Sequence, residues 1–260
     1  MDLAEIQPFL KVDCDVQVYG TVNSTNIMAK EIQKALKNPA KHNVVLIAEE
    51  QTAGHGRRGR AFFSPPGHGI YMSLILDPAK FSFKGDPTMV TIYTAVAVCE
   101  AIEAICGKSP GIKWVNDLFM RRRKICGISA EALNEPVSGR IESLLIGIGI
   151  NFTLPVLSEE LSLIVGAVFE NEPTTASRGQ LAAEIINRMI DPSVEDLLMR
   201  YRNRLFILNE KVRVEDAGLT YEATVLDIND KGHLVVQAES GERITLMAGE
   251  VSIRTFQKKV

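Results

Sequence analysis

The densest collection of phosphate-seeking side chains is QTAGHGRRGR, Gln51 to Arg60, in which three glycines, three arginines and a histidine follow the apolar run NVVLIAEE. Glycines let a backbone come close to a ligand, and arginines present forked donors matched to phosphate oxygens. The segment has no GxxxxGK followed by Ser or Thr, and no helical pattern follows its glycines. It is therefore neither a Walker loop nor a dinucleotide fingerprint. A phosphate here would be held by a loop that folds over it, with arginines neutralising charge and closure excluding water. The plain alternative is a surface loop with a solvated charge run.

Four other segments carry chemistry-bearing residues. In KWVND, Trp114 stands beside Asn116 and Asp117; core filling is the default for the tryptophan, and the Asn-Asp pair serves equally as a turn former. RRRKICGI offers a basic turn, from which Lys124 differs because it opens an apolar strand and can point inward. IGIGIN places Gly147 and Gly149 inside a buried strand, which marks a bulge or something packed against the backbone, with the bulge the simpler reading. STN, Ser24 to Asn26, taken alone is a helix cap.

Positioning these groups requires a sheet. VQVYG, NVVLIAEE, GIYMSLIL, GIKWVNDLFM, KICGISAEAL and IESLLIGIGINF read as strands, the later ones joined by short polar turns that favour hairpins. Helices are expected after Ser24 until Pro39, over 86 to 106 with Gly107 as the stop, and over 177 to 208 with a break at Pro192. The economical architecture is α+β, a mixed sheet with helices packed on one face. From Lys211 the pattern changes to short alternating runs with Gly218, Gly232, Gly241 and Gly249 at or near turns, an all-β unit. The boundary is placed near Asn209, giving units of 1–208 and 209–260.

Composition narrows the function. With 29 Lys and Arg against 32 Asp and Glu, the net charge of -3 argues against a surface built to neutralise a polynucleotide. Cys14, Cys99, Cys106 and Cys126 lie far apart with no CxxC pair, so neither a zinc site nor a disulfide framework is suggested. MDLAEIQPFL lacks the basic start and apolar run of a secretory signal, and no apolar stretch reaches spanning length. These features point to a cytoplasmic protein without a membrane partner.

Taken in order, STN, AEEQTAGHGRRGR with FFSPPG and IYMSL, KWVND, KICGI and IGIGIN resemble the biotin protein ligase family over roughly residues 16 to 155, and the C-terminal run resembles that family's SH3-like domain. The resemblance implies a class II synthetase-like core with a small C-terminal SH3-like β-barrel. It implies a two-step reaction: biotin and ATP give biotinyl-adenylate and pyrophosphate, and a lysine of a biotin carboxyl carrier protein then takes the biotin. Ser24, Thr25, Asn26, Gln51, Gly54, His55, Gly56, Arg57, Lys124, Gly127 and Gly147 would contact biotin or leave room for it. Arg57, Arg58, Arg60, Trp114, Asn116 and Asn151 would serve ATP. Lys124 and Arg57 would neutralise developing charge, and Asp117 would orient or deprotonate the incoming lysine. Mg2+ would accompany ATP, with no metal held directly by protein ligands.

Two positions depart from the family pattern: His55 stands where arginine is usual and Val115 where proline is usual. His55 removes a permanent cation from the covering loop, so the adenylate would be held less firmly or more pH-dependently. About fifteen residues precede the first core strand, too few for the helix-turn-helix domain of many relatives, so DNA binding is not expected; a homodimer is left open. The alternatives are a lipoate or other acyl-protein ligase, and a non-catalytic biotin-binding regulator.

Overall fold

A computed structural model describes residues 1–36, 42–56, 61–83, 86–135, 138–216, 218–247 and 250–253. Seven strands, β1 (Asp15–Val22), β2 (Val44–Gln51), β3 (Gly69–Leu76), β4 (Gly111–Lys113), β5 (Asp117–Met120), β6 (Arg123–Asn134) and β7 (Ile141–Asn151), form one sheet in the order β1-β2-β3-β7-β6-β5-β4. Only β1 and β2 run parallel among these pairs. The run GIKWVNDLFM, expected as one strand, is two: residues 114 to 116 turn β4 back onto β5, with the Trp114–Val115 peptide bond cis. Turn chemistry at Asn116 and Asp117 overrides the apolar continuity of the run.

The main helical layer is α3 (Pro87–Cys106) and α5 (Arg178–Ile190). Asp86 caps α3 by accepting from the Thr88 and Met89 amides, Pro87 opens it, and Gly107 ends it at φ 61. A Ser177/Gln180 capping box starts α5. These helices bury the face of the sheet that carries Val45, Ile47, Met72, Leu74, Ile146 and Ile148. A third helix, α2 (Thr25–Ala35), lies on the opposite face, where Ala29 meets Val44, Leu46, Ile75 and Leu145. Helices thus cover both faces at this end, not the single face expected, which explains why all eight residues of β3 are buried. Pro39, the expected stop for α2, lies outside the described residues; the helix ends at Ala35.

By length and composition alone the 20 residues of α3 meet the requirement for a membrane span, contrary to the reading that no apolar stretch does. Its apolarity has another cause, because twelve of its residues are buried within this fold. Three short helices, α1 (Leu3–Ile6), α4 (Glu159–Ile164) and α6 (Leu197–Arg202), complete the large unit.

The strands β8 (Lys211–Asp216), β9 (Leu219–Ile228), β10 (Leu234–Ala238), β11 (Arg243–Leu246) and β12 (Glu250–Ile253) form an antiparallel sheet in the order β11-β10-β9-β8-β12. Gly218, Gly232 and Gly241 all have positive φ, whereas Gly249 is outside the described residues. The small sheet is tied to the large unit through α6, where Arg202 donates to Asp227 at 2.6 Å and to the Ile228 carbonyl at 2.7 Å.

Candidate active site

Side chains alternate across a sheet, so the face shared with α2 carries Ser73 of β3, Gly147 and Gly149 of β7, and Gly127 and Ser129 of β6. Register aligns them in rungs: Ser73 opposite Gly147 opposite Ser129, and Gly127 opposite Gly149. The result is a floor almost without side chains. Over it opens a pocket lined by Ser24, Thr25, Asn26, Gln51, His55, Gly56, Phe62, Asn116, Lys124, Gly127, Ser129, Gly147 and Gly149, among others.

One end is a hydrogen-bonded polar cluster built at the start of α2. Ser24 is the N-cap residue by backbone conformation, but its side chain makes no capping bond. The first helical amide, that of Thr25, donates to Gln51 Oε1 at 2.9 Å, so the end of β2 caps α2 from outside. Gln51 Nε2 donates to Ser64 at 3.0 Å. Ser73 lies within 2.8 Å of Thr25 Oγ1 and 2.6 Å of Asn26 Oδ1, and Asn26 Nδ2 donates to Ser129 at 3.2 Å. A methyl group on Gly147 would stand 2.5 Å from Asn26 Oδ1, which is why this strand needs glycine there.

The glycines of IGIGIN make no bulge, since β7 keeps register with β3 throughout and with β6 until Leu133. They admit close packing instead. The Phe62 ring lies across Gly127 and Gly149, with Cε1 2.6 Å from where a Gly149 side chain would begin. Phe62 is delivered by a small hairpin in which its amide donates to the Gly54 carbonyl at 2.8 Å and His55 pairs with Ala61. A side chain at Gly54 would meet the Phe62 carbonyl at 2.5 Å.

The other end carries charge. Lys124 Nζ lies 2.7 Å from Asp117 Oδ1, and a methyl group on Gly127 would stand 3.3 Å from it. Asn116 Nδ2 donates to the Ile128 carbonyl at 2.9 Å and to Asp117 at 3.2 Å. Tyr201 of α6 donates to the Val115 carbonyl at 3.2 Å, so the corner between β4 and β5 is held from two sides. Two rungs of strand, about 7 Å, separate the Gly147 cradle from the Gly149 rung beside Lys124.

The fold thus brings Ser24, Thr25, Asn26, Gln51, His55, Gly56, Asn116, Lys124, Gly127 and Gly147 to one pocket, with Gly54 and Asp117 in direct contact with its walls. Arg57, Arg58 and Arg60 lie outside the described residues. Trp114 is elsewhere: it is 4% exposed in the core, and its indole N–H donates to the Gly232 carbonyl of the small sheet at 3.0 Å. Asn151 is also buried, donating to the Gly166 carbonyl at 2.9 Å. Gly166 belongs to a second cleft, lined also by Lys108, Arg121, Arg123 and Phe169, which adjoins the first where the Gly166 amide bonds to the Lys124 carbonyl.

Phe62, Ser64 and Ser73 lie in the runs FFSPPG and IYMSL, where the sequence assigns them no role, and Ser129 lies outside the motifs. Their signal is register, because a serine opposite a glycine opposite a serine is visible only once strands are paired. Burial pushes the Tyr71 hydroxyl, beside Phe62 on the site face, and the Cys126 thiol on the opposite face well up, so both are neutral. All four cysteines are free thiols. Among the described residues no three His, Cys, Asp or Glu side chains cluster as metal ligands.

A model of the Biotin/lipoate A/B protein ligase family matches residues 20–151, and one of the Biotin protein ligase C terminal domain matches residues 207–254. The chain is 29% identical over 250 residues to a Mycobacterium tuberculosis protein named Biotin--[acetyl-CoA-carboxylase] ligase, covering 91% of this chain and 88% of that one. It is 28% identical over 229 residues to the Bifunctional ligase/repressor BirA of Bacillus spizizenii, covering 85% and 68%. In fold it is similar to the biotin protein ligase from Aquifex aeolicus in complex with biotin and ATP, with a TM-score of 0.74, 23% identity, and coverage of 92% and 98%.

Proposed function

We propose that this chain, which belongs to the Biotin/lipoate A/B protein ligase family, activates biotin with ATP and transfers it to a lysine of a biotin carboxyl carrier protein. The observation that carries the reading is the pocket's two unlike ends. A neutral donor and acceptor cluster at Thr25, Asn26 and Gln51 faces a cation, Lys124, across a glycine floor about 7 Å long per two rungs. Biotin has the matching shape, with a ring urea, an apolar chain and a terminal carboxylate. Phe62 supplies apolar surface between the ends. Lipoate ends in a dithiolane with no comparable donors or acceptors, and would leave the buried polar cluster unpaired.

In the first step the biotin carboxylate oxygen attacks the α-phosphorus of ATP, forming the mixed anhydride as the bond to pyrophosphate breaks. Two anions must be brought together, so a cation in a site shielded from water is required. Lys124 fills that role once the ligand draws it from Asp117. Arg57, Arg58 and Arg60 are assigned to the phosphates, and their loop to covering the adenylate. Mg2+ arrives with ATP. Asn116 stands on the phosphate side, and Asn151 on the nucleotide side through the adjoining cleft; Trp114 is left out of the nucleotide set because its indole is committed to Gly232.

In the second step the neutral lysine amine attacks the anhydride carbonyl and AMP leaves. Asp117, at the mouth of the same corner, orients that amine or takes its proton. Division of the chain near Asn209 gives 1–208 the chemistry and leaves 209–260 as an accessory unit. Four free cysteines suit a reducing cytoplasm. The names of the relatives and the biotin and ATP of the Aquifex protein support the substrates. The test is ATP-dependent incorporation of labelled biotin into a carboxylase carrier domain: labelling at one lysine is expected, and none, with folded protein, overturns the proposal.

A further inference from the structure

We infer that Ser73 and Ser129 are positioning residues that clamp the Asn26 amide over Gly147 and thereby set which head group the pocket accepts, an inference that rests on the biotin reading above. Gly147 is flanked on its two sides by Ser73 and Ser129 in one rung of the sheet. The Asn26 amide fills the space a Gly147 side chain would take, with Oδ1 2.6 Å from Ser73 and Nδ2 3.2 Å from Ser129. Both ends of one amide are therefore held by hydroxyls from neighbouring strands, and Ser73 is fully buried.

Hydrogen counting gives the clamp its consequence. With the Asn26 amide standing as it does, Oδ1 toward Ser73 and Nδ2 toward Ser129, Oδ1 can only accept, so the one Ser73 hydrogen goes to it. Thr25 then spends its own hydroxyl hydrogen on Ser73 or on Gln51 Oε1, which lie 2.8 and 3.2 Å away. Toward a ligand Thr25 Oγ1 is left as an acceptor. Asn26 keeps one N–H beyond the bond to Ser129, and presents it as a donor. The pocket thus asks for an N–H and a carbonyl oxygen on one small group, which a cyclic urea provides. A protonated guanidine, whose NH2+ in place of the oxygen has no lone pair, sets donor against donor at Asn26. Without the serines the amide can rotate and accept from that N–H instead.

The experiment titrates full-length wild type, Ser73→Ala, Ser129→Ala and the double variant with biotin and with 2-iminobiotin, in which NH replaces the urea oxygen. Each single alanine variant is expected to weaken biotin binding about tenfold, as for loss of one buried hydrogen bond with its partner left behind, and to narrow the biotin preference by about that factor. The double variant should lose less than the product of the singles, because both serines act through one amide. Ser129→Thr, which keeps the hydroxyl, should hold the wild-type preference, and far-ultraviolet circular dichroism checks folding. Wild-type binding of biotin together with an unchanged preference in the alanine variants overturns the clamp alone. No biotin binding by folded wild type overturns the ligase reading and the clamp with it.

Discussion

Lys124 Nζ and Asp117 Oδ1 lie 2.7 Å apart across the β5 and β6 pair, and the lysine faces the Gly127 floor. Among the described pocket-lining residues Lys124 is the only lysine or arginine, so an anionic ligand entering there competes with Asp117 for it. Lys124→Ala should slow adenylation at least about a hundredfold, the loss seen when one preorganised group facing developing charge is removed. Asp117→Asn should slow transfer more than adenylation. Single-turnover assays of each step decide; equal losses in both would mean that Asp117 serves only to place Lys124.

Gly147→Ala would set a methyl 2.5 Å from Asn26 Oδ1 and 2.6 Å from Ser129 Oγ. Overpacking of this kind costs about 1–3 kcal/mol, and the strain falls on the amide that reads the ligand head. Biotin-dependent turnover should fall more than about a hundredfold while thermal unfolding shifts by less than about 10 °C. A variant that binds biotin normally would show that Asn26 is not part of the recognition.

Trp114→Phe keeps most of the ring but strands the Gly232 carbonyl, which loses its indole donor. A loss of about 1–2 kcal/mol is expected, read as a shift in the denaturation midpoint. The KM for ATP should stay within about twofold. A tenfold rise in that KM would return the indole to the nucleotide site, where the family resemblance had put it.

Glu49, at the end of β2, supplies the acid limb of stability near the site. Burial raises its pKa, but hydrogen bonds from the Met1 amino group and from Arg178 outweigh burial and hold the carboxyl below its usual value. A depressed folded value means that the stabilisation is complete above the ordinary glutamate range and is lost as pH falls through the lowered one. Glu49→Gln should therefore lower stability at neutral pH and flatten the fall between neutral and acid conditions. Parallel stability curves for wild type and variant would remove Glu49 from the account.

Much of this arrangement is legible in the chain because it is written as local pattern. Strands β2, β3, β6 and β7 announce themselves as apolar runs, and α3 as a long apolar segment between Asp86 and Gly107. Lys124 is marked by its setting, a cation opening an apolar strand, whereas Thr25, Asn26 and Gln51 owe their expected role to the family resemblance, STN alone reading as a helix cap; the fold brings all four to one pocket. What stays hidden depends on pairing. Ser73 and Ser129 look like ordinary polar residues in strands until register places them on either side of Gly147. The turn at residues 114 to 116 is masked by apolar neighbours in a run read as one strand, and α2, legible as a helix after Ser24, carries no local sign that it packs on the far face of the sheet. Trp114 is hidden differently, since its partner, the Gly232 carbonyl, lies 118 residues away and no short-range rule connects them.

Isotope exchange between pyrophosphate and ATP tests, without any carrier protein, whether the pocket selects biotin and joins it to the α-phosphate of ATP. Exchange should require biotin and Mg2+ together, and should be no faster with lipoate than with no acid at all. Exchange driven equally well by lipoate, or proceeding without biotin, would contradict the account.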